Sequence, residues 1–528
     1  MIGPFDRGAV DVPGWVRDAV FYQVFPDRFA SSERVVKPGP LEPWDAPPTT
    51  HGFKGGDLLG LAERLPELAE LGITALYLTP IFASASNHRY HTLDYRRVDP
   101  LLGGDVALRE LLDAAHGRGM RVVLDGVFNH ASRGFWPFHH VLENGAASPY
   151  RDWFHLSPEV LAGRRGLDAY PTPRTMARIA RDATALGGDR SGVVSERVLG
   201  YRAWWDLPAL PKLATSTPAV REYLLATAEH WLRFGIDGWR LDVPGEIADP
   251  DFWREFRRRV RAVNPEAYIV GEVWRVEPDW VGGDRFDALM DYPLAEATIG
   301  FAAGRHLDRR VVREQHEYAS TVRRLDGRAF GRRLEELLAA YDPAVTAVQL
   351  NLLDSHDTPR VRTLCGGDTA AVRLATLVQM TLPGAPCIYY GDEIGLEGHH
   401  DPDCRRSFPR EAGVGDRALR DDIRAAIVLR MAEPLLRDRG TFAIAGAMGP
   451  ALAYLRVADD DALLVALNAG ERAVRLPVSL PGLAGRSLGA AGPTGWPAAE
   501  AWTSVRVAPN GSASLPLPAR TGLVLRPI

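Results

Sequence analysis

Four short segments of the sequence combine carboxylic acids with histidine, arginine or tryptophan. They are DGVFNH at 125–130, GWRLDV at 238–243, GEVW at 271–274 and LDSHDT at 353–358. Carboxyl and imidazole groups are the usual acids and bases of catalysis when they meet at one site, and an arginine supplies a fixed positive charge. The segments are far apart in the chain, so the fold has to bring them together.

Each segment lies at the end of a short apolar run that is typical of a buried strand. Between these runs lie amphipathic stretches, one of which has leucines spaced three to four apart over 58–71 and ends at Gly72. The runs show little alternation, as expected of parallel strands covered on both faces. Eight strands with helical crossovers predict an α/β fold, a (β/α)8 barrel, with a doubly wound open sheet as the alternative. The predicted strands are 20–25, 75–79, 121–125, 238–242, 267–271, 288–292, 347–352 and 387–390.

The barrel prediction places the four segments together. Catalytic groups of such barrels lie at the carboxyl ends of the strands. The segments fall at the ends of predicted strands three, four, five and seven. We therefore expect their acids, histidines and arginine to converge on one rim.

Two regions depart from the alternating pattern. The stretch from Asn129 to Asp237 is too long for a loop between barrel elements, so we interpret about 131–206 as an inserted subdomain. After about residue 438, strand-like runs separated by Gly, Pro and Asp predict an antiparallel β domain. The predicted organisation is a barrel at 1–130 and 207–438, an inserted subdomain at 131–206 and a C-terminal β domain at 439–528.

Composition excludes several classes of protein. Apolar residues make up 46% and charged residues 24% of the chain, which is ordinary for a globular protein. The formal charge of −5 argues against a nucleic-acid partner, since nucleic-acid binders carry a basic surplus. We expect no leader peptide, and no membrane span in the charge-free run 374–391, which proline and glycine interrupt. The three cysteines lack metal-like spacing and favour reduced thiols in a cytoplasmic protein.

The four segments resemble the four sequence regions of the α-amylase family, glycoside hydrolase family 13. The resemblance extends to FYQVFPDRF at 21–29, LYLTPIF at 76–82, SNHRY at 86–90 and PCIYYGDE at 386–393. LPKL at 210–213 is similar to the fifth region of the neopullulanase, cyclomaltodextrinase and maltogenic amylase branch. The resemblance covers nearly the whole chain from about Trp15, with the motifs in the right order at the ends of the right strands.

This resemblance implies a retaining α-glycosidase. It assigns Asp242 as the nucleophile, Glu272 as the general acid/base and Asp357 as a third carboxylate that holds sugar hydroxyls in the transition state. Retention requires two carboxyl groups about 5–5.5 Å apart, one ionised and one protonated in turn. Arg240 lies two residues before Asp242 on the same strand face, so we expect its charge to keep Asp242 ionised. Glu272 has no such neighbour in sequence and is expected to hold a raised pKa.

The resemblance also assigns residues that contact sugar. His130 and His356 match histidines that hydrogen-bond the sugar beside the scissile bond, and Tyr90 matches the aromatic platform beneath that sugar. Trp204, Trp205 and Trp274 are further candidate platforms, although packing in the core explains the first two at least as well.

One substitution bears on how the substrate's end is bound. In relatives that remove single glucose units, an aspartate after the stacking tyrosine pairs with an arginine three residues after the third acid, and together they close the pocket. Here the arginine is present as Arg360, whereas His91 takes the place of the aspartate. We expect a more open pocket and attack on internal or penultimate linkages. The alternative is that another acid replaces the aspartate and single glucose units are released.

The sequence does not support a metal or any other cofactor. The loop after Phe29 reads ASSERVV, not the Asn/Asp-rich loop that binds calcium in some relatives, and Ca²⁺ requires oxygen ligands. Asn129 matches a calcium ligand of other amylases, but a single residue does not make a site.

Three functions are compatible with these observations. The first is a cytoplasmic hydrolase of α-1,4-linked maltooligosaccharides and related α-glucans, with cyclodextrins and pullulan as possible substrates. The second is a transglycosylase or isomerase of the same family, because the covalent intermediate can react with a sugar hydroxyl instead of water. The third is a non-catalytic scaffold, against which the complete set of acids argues. The expected partner is an α-glucan, without nucleic acid or membrane, and the oligomeric state is left open.

Overall fold

The chain folds around a barrel of eight parallel strands. A computed structural model describes residues 1–188, 191–411, 413–491 and 504–528. In the sheet, strands six to one follow one another and strands eight and seven lie beyond strand one. Met290 and Leu350 form a parallel bridge between strands six and seven, and the Asp291 amide donates to the Leu350 carbonyl at 2.9 Å. This contact closes the ring, so the (β/α)8 prediction is confirmed and the open-sheet alternative is wrong. The eight barrel strands are Phe21–Val24, Ala75–Leu78, Arg121–Gly126, Gly238–Leu241, Tyr268–Gly271, Ala288–Leu289, Leu350–Leu352 and Ala385–Tyr389.

Two of the strands are three residues shorter than predicted. The sixth strand stops at Leu289 because Asp291 caps a helix, its side chain accepting a hydrogen bond from the Leu294 amide. The seventh begins at Leu350, since the residues before it form the helix Pro343–Thr346. In the sixth run, an N-cap with proline at the second helical position starts a helix inside the predicted strand. In the seventh run, the helix ends just before the predicted strand, and the first residues of that run form a turn.

Helices connect the strands and cover the barrel. The predicted leucine-rich helix runs over Leu58–Leu71 and ends at Gly72, whose φ of +102° is the left-handed conformation that glycine adopts readily. The other α-helices are Pro26–Phe29, Gly104–His116, Trp136–Asn144, Pro158–Leu161, Pro173–Ala185, Val193–Leu199, Pro218–Phe234, Pro250–Val263, Tyr292–Ala302, Arg309–Glu314, Gly327–Leu338, Pro343–Thr346, Val361–Leu364, Thr369–Thr381 and Arg417–Ala432.

Strand register aligns the acidic segments. Asp125 on the third strand lies opposite Arg240 on the fourth, and Leu241 lies opposite Gly271 on the fifth. The fourth and fifth strands approach closely at Gly238, where a Cβ atom would lie 2.3 Å from the Tyr268 carbonyl oxygen. The register therefore places the ends of strands three, four and five side by side.

The stretch of chain between the third and fourth strands forms several helices and isolated bridges outside the barrel sheet. Its helices include Trp136–Asn144, Pro173–Ala185 and Val193–Leu199, and an antiparallel bridge joins His130 to Lys212. Residues 189–190 of the predicted subdomain lie outside the described residues. The boundaries 131–206, like the other domain limits, stay a prediction.

A separate β domain follows the barrel, as predicted. Its larger antiparallel sheet contains strands that pair in the order Thr441–Met448, Ala451–Ala458, Asp461–Asn468, Thr521–Pro527, Ser487–Ala490 and Val505–Arg506. Val474–Ser479 pairs with Ser512–Leu517 in a second, two-stranded sheet. Leucine and valine side chains of the two sheets form a core distinct from that of the barrel. Residues 492–503 of the predicted domain lie outside the described residues.

Candidate active site

One guanidinium group contacts three carboxyl groups at the carboxyl end of the barrel. Nη1 of Arg240 donates to Asp125 at 2.9 Å and to Oδ1 of Asp242 at 3.2 Å, and Nη2 lies 3.0 Å from Oε2 of Glu272. All four side chains are buried. Strand register produces this arrangement, because Asp125 pairs with Arg240 and Glu272 follows the residue opposite Leu241. The predicted residues Arg240, Asp242 and Glu272 are therefore brought into one cluster.

Burial and the charge of Arg240 act in opposite directions on the acids of this cluster. Burial raises the pKa of Asp242 well above its usual range, and Glu272 raises it further, whereas Arg240 lowers it. Burial also raises the pKa of Glu272 against the same arginine, and it raises the pKa of Asp125 to about 6. Arg240 therefore favours ionisation of Asp242, as expected, but it is shared among three acids rather than serving Asp242 alone. The raised pKa values allow the cluster to hold protons near neutral pH, as acid–base catalysis requires.

Glu272 is held by two hydrogen bonds from nearby residues. The Val243 amide donates to its Oε2 at 3.0 Å, and the Trp274 indole donates to its Oε1 at 3.1 Å. Val243 has a φ of +35°, a strained conformation for a β-branched residue that costs on the order of 1–3 kcal/mol. Trp274 is fixed in turn by stacking on Tyr292, with ring centroids 3.7 Å apart. The orientation of Glu272 is thus set by the strained turn that follows Asp242.

The third acid lies beside a neutral histidine. Nε2 of His356 is 3.1 Å from Oδ2 of Asp357, and its Nδ1 is 2.8 Å from Nε2 of Gln23. Burial lowers the pKa of His356 well below its usual range, so the ring is uncharged at neutral pH. Nη2 of Arg405 lies 3.4 Å from Oδ1 of Asp357, and burial nevertheless raises the pKa of that acid.

Tyr90 connects the two halves of the rim. Its hydroxyl donates to Oδ2 of Asp125 at 2.9 Å and lies 2.5 Å from Nε2 of His356. The rings of Tyr90 and His356 are nearly parallel, with centroids 5.4 Å apart. Tyr77 donates a second hydrogen bond to the same Asp125 oxygen at 2.9 Å. These contacts make Asp125 a bracing residue between Arg240 and the aromatic groups.

Several buried polar atoms at the site have no hydrogen-bond partner. Oδ2 of Asp242 and Nε2 of His130 are among them. Burial lowers the pKa of His130 to about 3, so the ring is neutral, and Nδ2 of Asn129 lies 3.2 Å from its Nδ1. Buried polar atoms without partners are rare and costly in native proteins. A ligand that hydrogen-bonds both atoms would remove this cost.

Arg360 does not join the cluster. Its buried guanidinium donates to the Cys404 carbonyl at 2.9 Å and to Asp392 at 3.2 Å, and it stacks on Tyr389 at 4.0 Å. Asp392 is therefore the acidic partner of Arg360, and the guanidinium also donates to a backbone carbonyl of the protein. Burial lowers the pKa of His91 to about 4, and Arg133 lowers it further, so the His91 ring is neutral near pH 7.

Sequence reasoning missed two residues that contact the third acid or its neighbour. Gln23 lies within a segment that was recognised, but its side chain was assigned no role. Arg405 lies in the loop after the eighth strand, where no periodic pattern marks it. Its Nε donates to the His356 carbonyl at 2.8 Å, and its Nη1 lies 2.7 Å from Asp401. Only the loop's path over the rim brings Arg405 to Asp357.

With this geometry in place, comparison with known proteins is decisive about the family. Residues 23–430 match the family model described as "Alpha amylase, catalytic domain". The chain belongs to the α-amylase family. A cyclomaltodextrinase from Bacillus sp is 42% identical to this α-amylase-family chain over 460 residues, covering 86% of it and 73% of the relative. The intracellular maltogenic amylase of Bacillus subtilis is 36% identical over 430 residues, covering 81% and 64%.

A solved structure extends the similarity beyond the catalytic domain. The native debranching enzyme of Nostoc punctiforme is 42% identical, with a TM-score of 0.83 and coverage of 98% of this chain and 99% of that one. Together these matches identify the protein as a glycoside hydrolase of the α-amylase family, in the cyclomaltodextrinase, neopullulanase and maltogenic amylase branch.

Two further observations concern metals and membranes. Within 1–188, 191–411, 413–491 and 504–528, no group of three or more His, Cys, Asp or Glu residues is arranged to hold a metal ion. Among the same residues, no helix combines the length and the apolar character needed to cross a bilayer.

Proposed function

We propose that this enzyme is a retaining glycosidase that hydrolyses α-1,4-glucosidic bonds of maltooligosaccharides and related α-glucans. The observation that carries the proposal is the contact of one buried guanidinium, that of Arg240, with both Asp242 and Glu272. Two carboxyl groups that share one guanidinium lie close together, which supports the short spacing used for retention rather than the wider spacing used for inversion.

In the first half of the proposed reaction, Asp242 is ionised and Glu272 is protonated. The Asp242 carboxylate, whose Oδ2 lacks a protein partner, attacks the anomeric carbon. Glu272 gives its proton to the glycosidic oxygen as the bond to the leaving sugar breaks. The products of this step are a glycosyl ester on Asp242, a Glu272 carboxylate and a free sugar hydroxyl.

In the second half, water replaces the leaving sugar. The Glu272 carboxylate takes a proton from the water, whose oxygen bonds to the anomeric carbon as the ester to Asp242 breaks. Both acids return to their starting states. His130, His356, Tyr90 and Asp357 are proposed to hold the reacting sugar, and the orphaned Nε2 of His130 supports its part in this role. A sugar hydroxyl in place of water would give transglycosylation by the same steps.

The experiment that tests this proposal is incubation with maltotriose, with the products followed by chromatography and by proton NMR. We expect shorter sugars whose new reducing end appears first as the α anomer. Initial β anomer would contradict retention. Longer sugars or isomers as the main products would show that transfer, not hydrolysis, is the principal activity.

A second linkage is supported by one comparison. The Nostoc protein, which matches this chain along almost its full length, is named a debranching enzyme, so α-1,6 bonds are the second candidate. Parallel assays with pullulan, which contains both linkages, and with maltotriose separate the two specificities.

We also propose a cytoplasmic location, supported by the similarity to an intracellular maltogenic amylase.

A further inference from the structure

The turn after the seventh strand carries two residues that are proposed to hold the reacting sugar, His356 and Asp357. Hydrogen bonds inside the turn shape it. The Ser355 amide donates to Oγ1 of Thr358 at 2.9 Å, and the Asp357 amide donates to the Ser355 hydroxyl at 3.2 Å. These bonds set the form of the turn, whereas its place on the barrel depends on contacts at its two ends.

A buried carboxyl group joins the two ends of this turn. Oδ2 of Asp354 accepts a hydrogen bond from the Val361 amide at 2.5 Å. Among the described residues, no amide, hydroxyl or guanidinium group donates to the buried Oδ1 of Asp354. The side chain of Asp354 does form a hydrogen bond with a second carboxyl group, that of Asp392. Oδ1 is therefore the Asp354 atom available for this bond.

Asp392 ties the turn to the loop after the eighth strand. It begins a single helical turn, Asp392–Ile394, and its Oδ1 also lies 3.2 Å from Nη1 of Arg360. Asp354, Asp392 and Arg360 are all buried. Two ionised carboxylates cannot hydrogen-bond each other, because each is an acceptor only. One proton must therefore lie between the two acids, and it leaves these three groups without net charge.

The surroundings favour Asp392 as the holder of this proton. Burial raises the pKa of Asp392 well above its usual range, and Asp354 raises it further, against the charge of Arg360. Burial also raises the pKa of Asp354, but the hydrogen bond with Asp392, the Arg360 charge and the Val361 amide lower it. Arg360 is thus the cation that acts on both acids. The other titratable groups beside the pair are Glu393, Cys387, Cys365 and Tyr318, and burial raises the pKa of each.

We propose that Asp354 and Asp392 share one proton and that this pair positions His356 and Asp357 for the reaction. The pair acts through the turn, so its members are positioning residues. Without their hydrogen bond the turn would be held to the neighbouring loop less firmly, and a displacement of about 1 Å at reacting groups can cost about 100-fold in rate. The proposal rests on the proposed function, which assigns both positioned residues to the reacting sugar.

Two replacements of Asp392 test the positioning. The amide of Asp392→Asn still donates to Asp354 and accepts from Arg360, so kcat on maltotriose should stay within about threefold of wild type. Asp392→Ala has no donor, and its kcat per folded molecule should fall about 10- to 100-fold. Circular dichroism measures the folded fraction. Asp392→Ala with the kcat of wild type would reduce the pair to a structural role, and an equal loss in both variants would show that the hydrogen bond is not what matters.

Infrared difference spectra test the shared proton without a substrate. At pH 7, the spectrum of wild type minus that of Asp392→Asn should contain the C=O band of one protonated carboxyl group. A carboxylate band in its place would overturn the shared proton. A wild type that fails to cleave maltotriose would instead overturn the proposed function, and the infrared result would still decide whether the proton is shared.

The matched control is Glu397→Gln. Glu397 lies in the same loop after the eighth strand and contacts Arg362, two residues after Arg360, at 3.2 Å, but its side chain is 52% exposed. This variant should keep the kcat of wild type and should remove a carboxylate band. A fall in kcat equal to that of Asp392→Ala would mean that any carboxyl group joining these segments has the same effect, which contradicts a special role for the buried pair.

Discussion

Nη2 of Arg240 lies 3.0 Å from Oε2 of Glu272, an acid 32 positions later in the chain and on the next strand of the barrel. The same guanidinium contacts Asp242, the one carboxyl group whose ionisation Arg240 was expected to favour. Its charge therefore acts on the proposed nucleophile and the proposed acid/base together. Any change at this arginine should affect both carboxyl groups.

Replacing Arg240 with lysine should lower kcat/KM on the order of 100-fold. A lysine ammonium is a point charge and lacks the planar fork that reaches two carboxyl groups at once. Since Arg240 lowers the pKa of both acids, the acidic limb of the pH–rate profile should also move to higher pH. The profile of Arg240→Lys against wild type measures both effects. A rate loss with an unmoved profile would show that the arginine acts only by position.

Neutral amides at the three acids should each abolish most of the activity. Asp242→Asn, Glu272→Gln and Asp357→Asn should reduce kcat by roughly 10²–10⁴-fold or more, because each removes a charge or a transferable proton from the reacting centre. Circular dichroism should show an unchanged fold. Asp326→Asn is a matched control, since Asp326 is an acid that caps the helix Gly327–Leu338, whose first amide donates to the Gly449 carbonyl of the C-terminal β domain. Near-normal turnover in any of the three variants would remove that acid from the mechanism.

Glu393 should make the protein less stable as pH rises. Burial raises its pKa to about 7, whereas the unfolded value is about 4.3. Between these values the unfolded chain has lost a proton that the folded chain keeps, so raising the pH favours unfolding by up to about 4 kcal/mol. The effect is complete above the folded pKa and absent below the unfolded one.

Glu393→Gln should remove this pH dependence. Its fall in Tm between pH 5 and pH 8 should be smaller than that of wild type by a few degrees, measured by differential scanning fluorimetry. The exposed residue Glu70 provides the control variant Glu70→Gln, whose pH dependence should match wild type. Identical slopes for Glu393→Gln and wild type would mean that Glu393 does not retain its proton in the folded protein.

The charged side chain of Lys37 should stabilise the loop after Phe29 without a bound metal ion. Nζ of Lys37 donates to Oδ2 of Asp57 at 2.9 Å and to the Leu101 carbonyl at 2.8 Å, while the same Asp57 caps the helix Leu58–Leu71. EDTA should leave the Tm nearly unchanged. Lys37→Met should destabilise the protein by about 1.5–3 kcal/mol, as expected for loss of a charged hydrogen bond. A large fall in Tm with EDTA that calcium restores would reveal an oxygen-ligand site.

The predicted open pocket should yield maltose as a major product from longer chains. The arginine of the closing pair is buried against Asp392, and the position of its aspartate holds a neutral His91. A time course on maltopentaose measures the outcome, and glucose as the sole early small product would refute it. His91→Asp and the uncharged variant His91→Asn should both resemble wild type, because Arg360 is buried against Asp392 and is not available to an acid at position 91.

Much of this protein could be predicted from its sequence, because the relevant signals are local. Short apolar runs and leucine periodicity indicated the barrel, since they report which residues a strand or helix buries. Motif spacing placed Asp242 and Glu272 at strand ends. Two strands are shorter than their apolar runs, one because a helix starts at the Asp291 cap and the other because a helix precedes Leu350. The sequence does not show this, because the same apolar residues suit a strand or a helix until the neighbouring strands are present.

The tertiary structure alone decided which acids each arginine contacts. Arg240 was assigned to Asp242 by proximity in sequence, yet strand register gives it Asp125 and Glu272 as well. Arg360 follows the third acid by three residues but is buried elsewhere, while Arg405, 48 positions later, reaches Asp357. Desolvation and long-range contacts depend on which atoms surround a group in space. They cannot be obtained from the order of residues along the chain.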